Sequence, residues 1–208
     1  MKSTQDLKRD HITLRRIKDI ASRCSELLYD SHYVPVEDIE ILCVIVEEFV
    51  DQFHHGKEEK AYFPETKDKD ALSEDVRKFL IEHEFGRRIA IMLRRAISNW
   101  KKRKSEDGFE GQNTNASIEP IARFLRTYAI FIEDHTGKED IFFDHIEERK
   151  MITEEEDIVL NRMYESCKNS LGGEQKIAQL LRLIDYLETR DWMKSNIRES
   201  KRGFITES

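Results

Sequence analysis

Apolar residues recur every three to four positions along the first half of the chain. The first such stretch runs from Leu7 to Leu28 and predicts a helix over about residues 4–29. A second stretch follows Pro35. We expect its helix to end at Pro64, because the residue before a proline avoids helical backbone angles.

The same periodicity predicts a third helix over about residues 72–104 and a fourth over about 118–146. Residues 105–116 lie between them and are rich in Gly, Asn, Ser and Thr, which is typical of a polar loop. Ser117 is the predicted N-cap of the fourth helix, because its hydroxyl can accept a hydrogen bond from a backbone N–H of the first turn.

Two shorter periodic segments follow, over residues 154–171 and 174–193, and the two glycines between them are typical of a helix stop and restart. No proline-rich linker precedes these segments, so we expect them to pack on the earlier helices. The predicted organisation is a bundle over residues 1–150, a C-terminal helical extension over 151–194 and a frayed tail over 195–208.

Four long helices with mostly short connections are typical of an up-down-up-down four-helix bundle. The composition agrees, because three Pro and eight Gly are too few for the many turns of a β-sandwich or barrel. The predicted fold class is all-α, with this bundle at its centre and the C-terminal helices packed on it.

The charge pattern narrows the choice of partners and compartment. The chain has 42 acidic residues against 35 Lys and Arg, and we interpret the basic run Lys101–Lys104 as a solvated helix end, so we expect no nucleic-acid binding. No apolar stretch reaches the roughly 18 residues of a membrane span, and no apolar signal-peptide core follows Met1–Asp6. We therefore expect a cytoplasmic protein without membrane contact. The three cysteines, Cys24, Cys43 and Cys167, lack metal-type spacing and agree with a reducing compartment.

The seven histidines are not scattered at random, because the sequence contains an internal repeat. Residues 53–59 match residues 134–140 at an offset of 81, with Gly, Lys and Glu aligned and with His54 opposite His135. The second helix therefore resembles the fourth helix.

A second match relates the first helix to the third. Residues 10–17 align with residues 82–89 at an offset of 72, so that His11 lies opposite His83. The bundle then has two similar halves, and each half contributes one helix with a lone His and one helix with His-x-x-x-Glu.

This repeat predicts a metal site. Positions four apart share a helix face, so His54 with Glu58, and His135 with Glu139, each present an imidazole and a carboxylate to one point. A lone His on an apolar face is more often a hydrogen-bonded core residue, but four such positions in duplicated motifs favour a metal. Imidazole and carboxylate suit iron, manganese or zinc, and helical bundles hold two-metal carboxylate sites in this way. The predicted ligands are His11, His54, His83 and His135, two per metal, with Glu58 and Glu139 bridging.

Three histidines are left outside this ligand set. His55 points about a quarter-turn away from His54, so we expect at best a role in supporting a ligand or a place at the rim. His32 lies in the turn before Pro35 and His145 lies beyond the repeated motif, and we expect both at the surface.

Four motifs carry a resemblance to a known family: Asp10-His11, His54 to Glu59 followed by Tyr62-Phe63-Pro64, Glu82-His83-Glu84 with Gly86-Arg87, and His135 to Asp140 followed by Phe142-Phe143. They resemble the hemerythrin family, whose HHE cation-binding domain is a four-helix bundle around a non-haem di-iron centre. The resemblance covers residues 1 to about 150. It implies two iron ions with an oxo or hydroxo bridge, and binding of dioxygen or a related small molecule.

The chain departs from the oxygen carriers of this family at two points. Those carriers use five histidines, two of them one helical turn apart on the third helix, whereas here Phe79 and Arg87 lie one turn either side of His83. The fifth ligand is therefore missing at that place. Carriers also commonly close the fourth-helix pair with an Asp five residues after the His, which makes Asp140 an alternative ligand to Glu139.

A centre with four imidazoles leaves an open position on both metals, as catalytic metals do. In this the site is similar to di-iron proteins linked with nitric oxide handling and iron–sulfur cluster repair, although those carry an additional N-terminal segment with a cysteine. Arg15 and Arg87 lie one turn from His11 and His83 and could anchor carboxylates or cover the bundle end. Tyr62, one turn after Glu58, could hydrogen-bond near the site or simply pack.

These features leave three functions open. The leading hypothesis is a di-iron protein that binds dioxygen, peroxide or nitric oxide for sensing, storage or scavenging. The alternatives are a di-iron oxidoreductase acting on peroxide or nitric oxide, or an iron–sulfur cluster repair type protein. The C-terminal helices could additionally transmit the state of the centre to a protein partner.

Overall fold

The structure is a computed structural model that describes residues 1–106 and 114–194, except for the side chains of residues 105, 106 and 114–117. Every regular element in these ranges is helical, which confirms the all-α prediction. The helices are α1 (Lys2–Tyr29), α2 (Val36–Ile45, continued by the stretches below), α3 (Ser73–Glu106), α4 (Thr114–Glu148), α5 (Glu154–Leu171), α6 (Gly173–Thr189) and α7 (Asp191–Lys194).

Helix α2 changes its winding along its length. After Val36–Ile45 the backbone continues as a π-helix over Val46–His55 and again over Glu58–Tyr62, and it closes with an α-helical turn, Phe63–Thr66. π-Helical segments are rare and occur mostly at functional sites. The segment that carries the predicted ligands of α2 is therefore the unusual part of the helix.

The predicted end of α2 at Pro64 is wrong. Phe63 keeps helical angles, φ −66° and ψ −43°, although it precedes a proline, and the helix runs on to Thr66. Pro64 lies in the first turn of the closing α-helical segment, where a missing N–H is tolerated best.

The predicted start of α4 is also wrong. The helix begins at Thr114, so Ser117 lies inside its first turns and is not an N-cap. Residues 114–117 contain neither Gly nor Pro, and nothing in them stops the helix from extending one turn towards the N-terminus. The rest of the predicted loop, residues 107–113, lies outside the described residues.

The interior of helices α1 to α4 holds two apolar clusters. The first cluster includes Leu14, Phe53, Ile89 and Ile132, and the second includes Leu7, Ala61, Phe79 and Phe142. Each of the four helices passes from one cluster to the other. One predicted histidine ligand of each helix lies at this crossing. His11, for example, falls between Leu7 and Leu14.

Helices α5 and α6 lie against the first half of the bundle. Asp157 of α5 accepts a 3.0 Å hydrogen bond from the backbone N–H of Ser3, and Arg16 pairs with Glu188 of α6 at 2.7 Å. Gly172 ends α5 with φ 119°, a left-handed conformation that suits glycine, which confirms the predicted stop between these helices.

The predicted frayed tail, residues 195–208, lies outside the described residues, and the proposed domain division stays a prediction. None of the helices in the described ranges combines the length and the apolar character needed to cross a bilayer.

Candidate metal centre

The side chains predicted from the repeat meet between the two apolar clusters. All six have 0% exposure, and they come from all four helices: His11, His54, Glu58, His83, His135 and Glu139. Imidazoles and carboxylates are rarely buried so completely, because the charged form of each loses its hydration. The burial therefore calls for a partner inside the cluster.

Glu139 of α4 links three of the helices. Its Oε2 atom lies 3.3 Å from Nε2 of His11 and 3.3 Å from Nε2 of His135, while its Oε1 atom lies 3.4 Å from Nε2 of His83. One carboxylate thus faces imidazoles from both halves of the repeat.

Glu58 of α2 has a similar position. Its Oε1 atom lies 3.4 Å from Nε2 of His54, and its Oε2 atom lies 3.4 Å from Nε2 of His83. The two glutamates therefore each span the space between imidazoles of different halves, as bridging carboxylates would.

These facing atoms have no hydrogen-bond partner within the described part of the chain. The unpartnered atoms are Nε2 of His11, His54, His83 and His135, and both carboxylate oxygens of Glu58 and Glu139. Each buried polar atom without a partner costs about 1–3 kcal/mol. Nitrogen and oxygen atoms of this kind donate lone pairs to metal ions. The donor set therefore fits a metal better than it fits a core without one.

Burial shifts the pKa values of the metal-free cluster. It raises the pKa of Glu58 and of Glu139 well above the ordinary value, and it lowers the pKa of His54, His83 and His135. Without a metal, burial therefore favours the protonated form of the two carboxyls and the neutral form of these imidazoles. A cation that enters displaces the carboxyl protons and finds neutral imidazoles ready to donate.

Each of the four imidazoles also has an outer carboxylate at its Nδ1 atom. The pairs are His11 with Asp140 at 2.7 Å, His54 with Asp10 at 3.2 Å, His83 with Glu59 at 2.7 Å and His135 with Glu82 at 2.8 Å. Such partners fix the tautomer and the orientation of metal-binding imidazoles. The repeat contained the signal for them, because an acid precedes His11 and His83 and another follows Glu58 and Glu139.

The comparison with protein families agrees with this geometry. The model of the hemerythrin HHE cation-binding domain matches residues 2–146. The chain belongs to the hemerythrin HHE cation-binding family. The match confirms the resemblance that the sequence motifs predict. Comparisons with curated proteins and with solved structures give no match.

Arg15 and Arg87 of this HHE domain contact outer carboxylates and neither Glu58 nor Glu139. Arg15 pairs with Asp140, and Nη2 of Arg87 lies 2.6 Å from Oε1 of Glu59. Burial acts to raise the pKa of Asp140, but the hydrogen bonds from His11 and Arg15 outweigh it and lower that pKa. The two arginines thus hold the outer carboxylates Asp140 and Glu59 in place.

Asp140 faces away from the cluster in this arrangement. It accepts at Nδ1 of His11, on the opposite side of the ring from Glu139, and its partner Arg15 is partly exposed. The geometry supports Glu139 as the cluster carboxylate of α4, and Asp140 as the residue that orients His11.

Tyr62 is fully buried, and its hydroxyl makes a 3.1 Å hydrogen bond with the hydroxyl of Thr4. Its ring packs edge-on against Phe143, which in turn stacks on His11 with centroids 5.4 Å apart. Tyr62 therefore acts on the cluster through packing, one ring removed from His11.

The sequence left two places open for His55, beside a ligand or at the rim, and the structure excludes the rim. His55 is 2% exposed and stacks on His83 with ring centroids 3.8 Å apart, so it lies beside the cluster and not at a rim. The segment Val46–His55 is π-helical, so side-chain directions drift cumulatively from the α-helical pattern on which the prediction for His55 was based. No sequence signal for the π-helix was apparent. His32 and His145, in contrast, are both partly exposed.

A surface cavity of about 290 Å³ lies outside the second half of the centre, between α2, α3 and α5. Its lining includes Asp51, Glu59, Arg87 and Cys167. The pair of Glu59 and Arg87 separates this cavity from His83, so solvent reaches the outer carboxylate there while the cluster itself stays buried.

Proposed function

We propose that this HHE-family protein is a cytoplasmic, non-haem di-iron protein that binds dioxygen, peroxide or nitric oxide for sensing, storage or scavenging. The observation that carries the proposal is the set of buried, unpartnered donor atoms contributed by four helices. The proposed ligands are His11, His54, His83 and His135, with Glu58 and Glu139 bridging.

The grouping of the donors supports two ions and not one. Glu58 and Glu139 each present one oxygen to an imidazole of the first half and face His83 of the second half as well. A single ion cannot use the two oxygens of both bridging carboxylates and all four imidazoles within a normal coordination number, whereas two ions can. Iron is the metal that this donor set shares with the family's di-iron centre.

The direction of the helices supports an up-down-up-down four-helix bundle. Helices α1 and α3 pass from the second apolar cluster to the first, from Leu7 to Leu14 and from Phe79 to Ile89. Helices α2 and α4 pass the other way. Successive helices then run antiparallel, which is the arrangement that brings duplicated motifs face to face around an axis.

When bound, a pair of iron ions would supply redox chemistry and open coordination positions for a small ligand. The residues of the chain prepare the place for it. Outer carboxylates hold the Nδ1–H groups of the imidazoles, so each Nε2 faces the cluster. Aromatic rings such as Phe143 on His11 and Phe131 on His135 keep bulk water away.

The cellular setting is proposed on independent grounds. All three cysteines are buried and unpaired, which supports a reducing compartment. We also propose a protein partner for the C-terminal helices. Helices α5 and α6 contact α1, and Lys176 of α6 pairs with Glu48 at 2.6 Å, so a partner bound to them could respond to the bundle.

The absorption spectrum of the protein purified in air tests this function. An oxo-bridged ferric pair absorbs by ligand-to-metal charge transfer at wavelengths where protein without iron is transparent, and azide should shift those bands. The double variant Glu58→Gln/Glu139→Gln is the matched control and should be colourless. A colourless wild-type protein that retains zinc after iron loading would contradict the proposal.

A further inference from the structure

Three side chains with cation-binding chemistry meet at the wall between the surface cavity and the buried centre. Asp51 and Glu59 line the cavity, and their side chains are 31% and 26% exposed. His55 lies deeper, and neither of its ring nitrogens has a hydrogen-bond partner among the described residues. Its Nδ1 atom lies 3.7 Å from Oδ1 of Asp51, which is too long for a hydrogen bond. An unpartnered buried imidazole that faces a carboxylate is the arrangement expected beside a metal ion.

Arg87 joins the two carboxylates of this wall. Its Nε atom donates to Oδ1 of Asp51 at 2.6 Å, and its Nη2 atom donates to Oε1 of Glu59 at 2.6 Å. The guanidinium thus lies between two carboxylates, where a metal cation would bind. Its side chain is 30% exposed and borders the cavity, and partly exposed ion pairs are weak, so the arginine can swing out.

The separation of the donors suits one ion. Two donors that each lie about 2.1 Å from an ion are at most about 4.2 Å apart, so Nδ1 of His55 and Oδ1 of Asp51 can share one. Imidazole and carboxylate are ligands that ferrous iron accepts. His83 cannot join them from the stacked ring, because its own Nδ1 atom donates to or accepts from Glu59 at 2.7 Å.

This wall lies directly beside the centre. Glu59 contacts the Nδ1 side of His83, whereas the bridging Glu58 faces Nε2 of the same ring. One imidazole therefore separates the wall from the centre. The ring of His55 stands edge-on to His135, with centroids 5.6 Å apart, so it reaches from the wall to the inner donors.

The other half of the repeat lacks such a wall. It has an equivalent pair of an arginine and an outer carboxylate, Arg15 with Asp140. Ile132 and Thr136 stand in the places of the second carboxylate and the unpartnered imidazole. The hydroxyl of Thr136 donates to the carbonyl of Ile132, so this pair offers an ion nothing.

We propose that His55, Asp51 and Glu59 form a transient site through which ferrous iron enters the centre, and that Arg87 closes this site when no ion is bound. The proposal rests on the di-iron function proposed above. The guanidinium of Arg87 moves into the cavity as the carboxylates and Nδ1 of His55 take up an ion. It returns to the carboxylates once the inner donors have received that ion.

The rate at which the metal-free full chain takes up ferrous iron tests this. Anaerobic stopped-flow mixing, with a ferrous chelator added to report the iron still free, measures the rate. Asp51→Asn and His55→Gln should each slow uptake by about tenfold or more, yet bind two irons per chain at equilibrium. Asp134→Asn, which removes the same charge from an exposed position, is the matched control and should load at the wild-type rate.

The two arginines separate an entry from a loss of support. Arg87→Ala opens the site and should speed both the uptake of iron and its release to excess chelator. Arg15→Ala removes the equivalent support of an outer carboxylate in the other half, and it should take up iron no faster than wild type. Equal acceleration in both variants would contradict an entry at Arg87.

The outcomes distinguish this proposal from the function on which it rests. Wild type that binds well under two irons overturns both. Wild type that binds two irons, while Asp51→Asn takes them up at the wild-type rate, overturns only the entry site. If circular dichroism shows that His55→Gln does not fold, Asp51→Asn decides, because its side chain is partly exposed.

Discussion

Lys57 and Lys138 hold equivalent positions in the repeat, yet the Lys57 side chain is 1% exposed and that of Lys138 is 47% exposed. The Lys57 ammonium contacts Asp10 and lies 2.7 Å from Asp6. The difference comes from α5, which places the ring of Tyr164 within 5.2 Å of that ammonium. Helix α5 thus covers Lys57 in the first half of the repeat, whereas Lys138 in the second half is left in contact with solvent.

This contrast predicts unequal effects of the same substitution. Lys57→Met leaves the buried carboxylate of Asp10 without its cation, and we expect a loss of about 3–5 kcal/mol in the free energy of unfolding. Lys138→Met removes a solvated ion pair and should cost about 1 kcal/mol or less. Urea denaturation of the two metal-free variants checks this, and equal losses would show that Lys57 is not buried as described.

Much of the candidate site was predictable because its motifs occur twice in the sequence. The repeat aligns His54 with His135 and Glu58 with Glu139, and this alignment can be found without knowing how the helices pack. The deep burial of His55 could not be predicted, because helical periodicity assumes α-helical winding throughout and α2 is π-helical over Val46–His55. The predicted place at the rim followed from that assumption.

Helix ends were less predictable than helix faces. The rule against helical angles before proline placed the end of α2 at Pro64, but packing of Phe63 and Thr66 in the interior overrides it. The up-down-up-down order was predicted from the helix lengths and the mostly short connections, and the alternation between the two apolar clusters supports it.

The close approach of α3 and α4 gives a second prediction. A Cβ atom on Gly86 would lie 2.6 Å from Cε1 of Phe131, whose ring stacks on His135. Gly86→Ala should therefore destabilise the protein by about 1–3 kcal/mol and disturb the metal spectrum. Gly137→Ala is the matched control, because its Cβ meets nothing within 4 Å, and it should stabilise α4 by about 0.5–1 kcal/mol. Thermal unfolding measures both effects. A Gly86→Ala variant as stable as the wild-type protein would contradict the close approach of Gly86 and Phe131.

The buried cluster predicts how the stability of metal-free protein depends on pH. Burial lowers the pKa of four imidazoles, so the unfolded chain binds more protons below 6.5 and their contribution is lost as pH falls below that value. Glu58 and Glu139 act oppositely, because their raised pKa means that stability is lost as pH rises from 4.5 towards the folded value. Four imidazoles outnumber two carboxyls below 6.5, so stability should be highest near pH 6.5 and fall on both sides.

Urea denaturation at about pH 5.5, 6.5 and 8 checks this, with each fully engaged group changing the free energy by about 1.4 kcal/mol per pH unit. The double variant Glu58→Gln/Glu139→Gln should lose the alkaline decline and keep the acidic one. If the wild-type protein, like the variant, shows no fall in stability from pH 6.5 to 8, the raised pKa values of these carboxyls are contradicted.

The choice between Glu139 and Asp140 can be settled by metal affinity. Glu139→Gln removes a carboxylate that faces three imidazoles and should abolish binding of at least one iron. Asp140→Asn removes only the outer partner of His11 and should weaken binding by about 10–100-fold. Asp144→Asn, which affects a surface pair with Lys8, is the control and should change nothing. Chelator competition measures all three, and the reverse order of effects would make Asp140 the ligand.

The iron content of the full chain after anaerobic loading tests the central claim most directly. Protein loaded with ferrous iron and freed of loosely bound metal should contain two irons per chain, and the double variant Glu58→Gln/Glu139→Gln should contain well under one. A wild-type value well below two, with the protein folded, would contradict the di-iron centre.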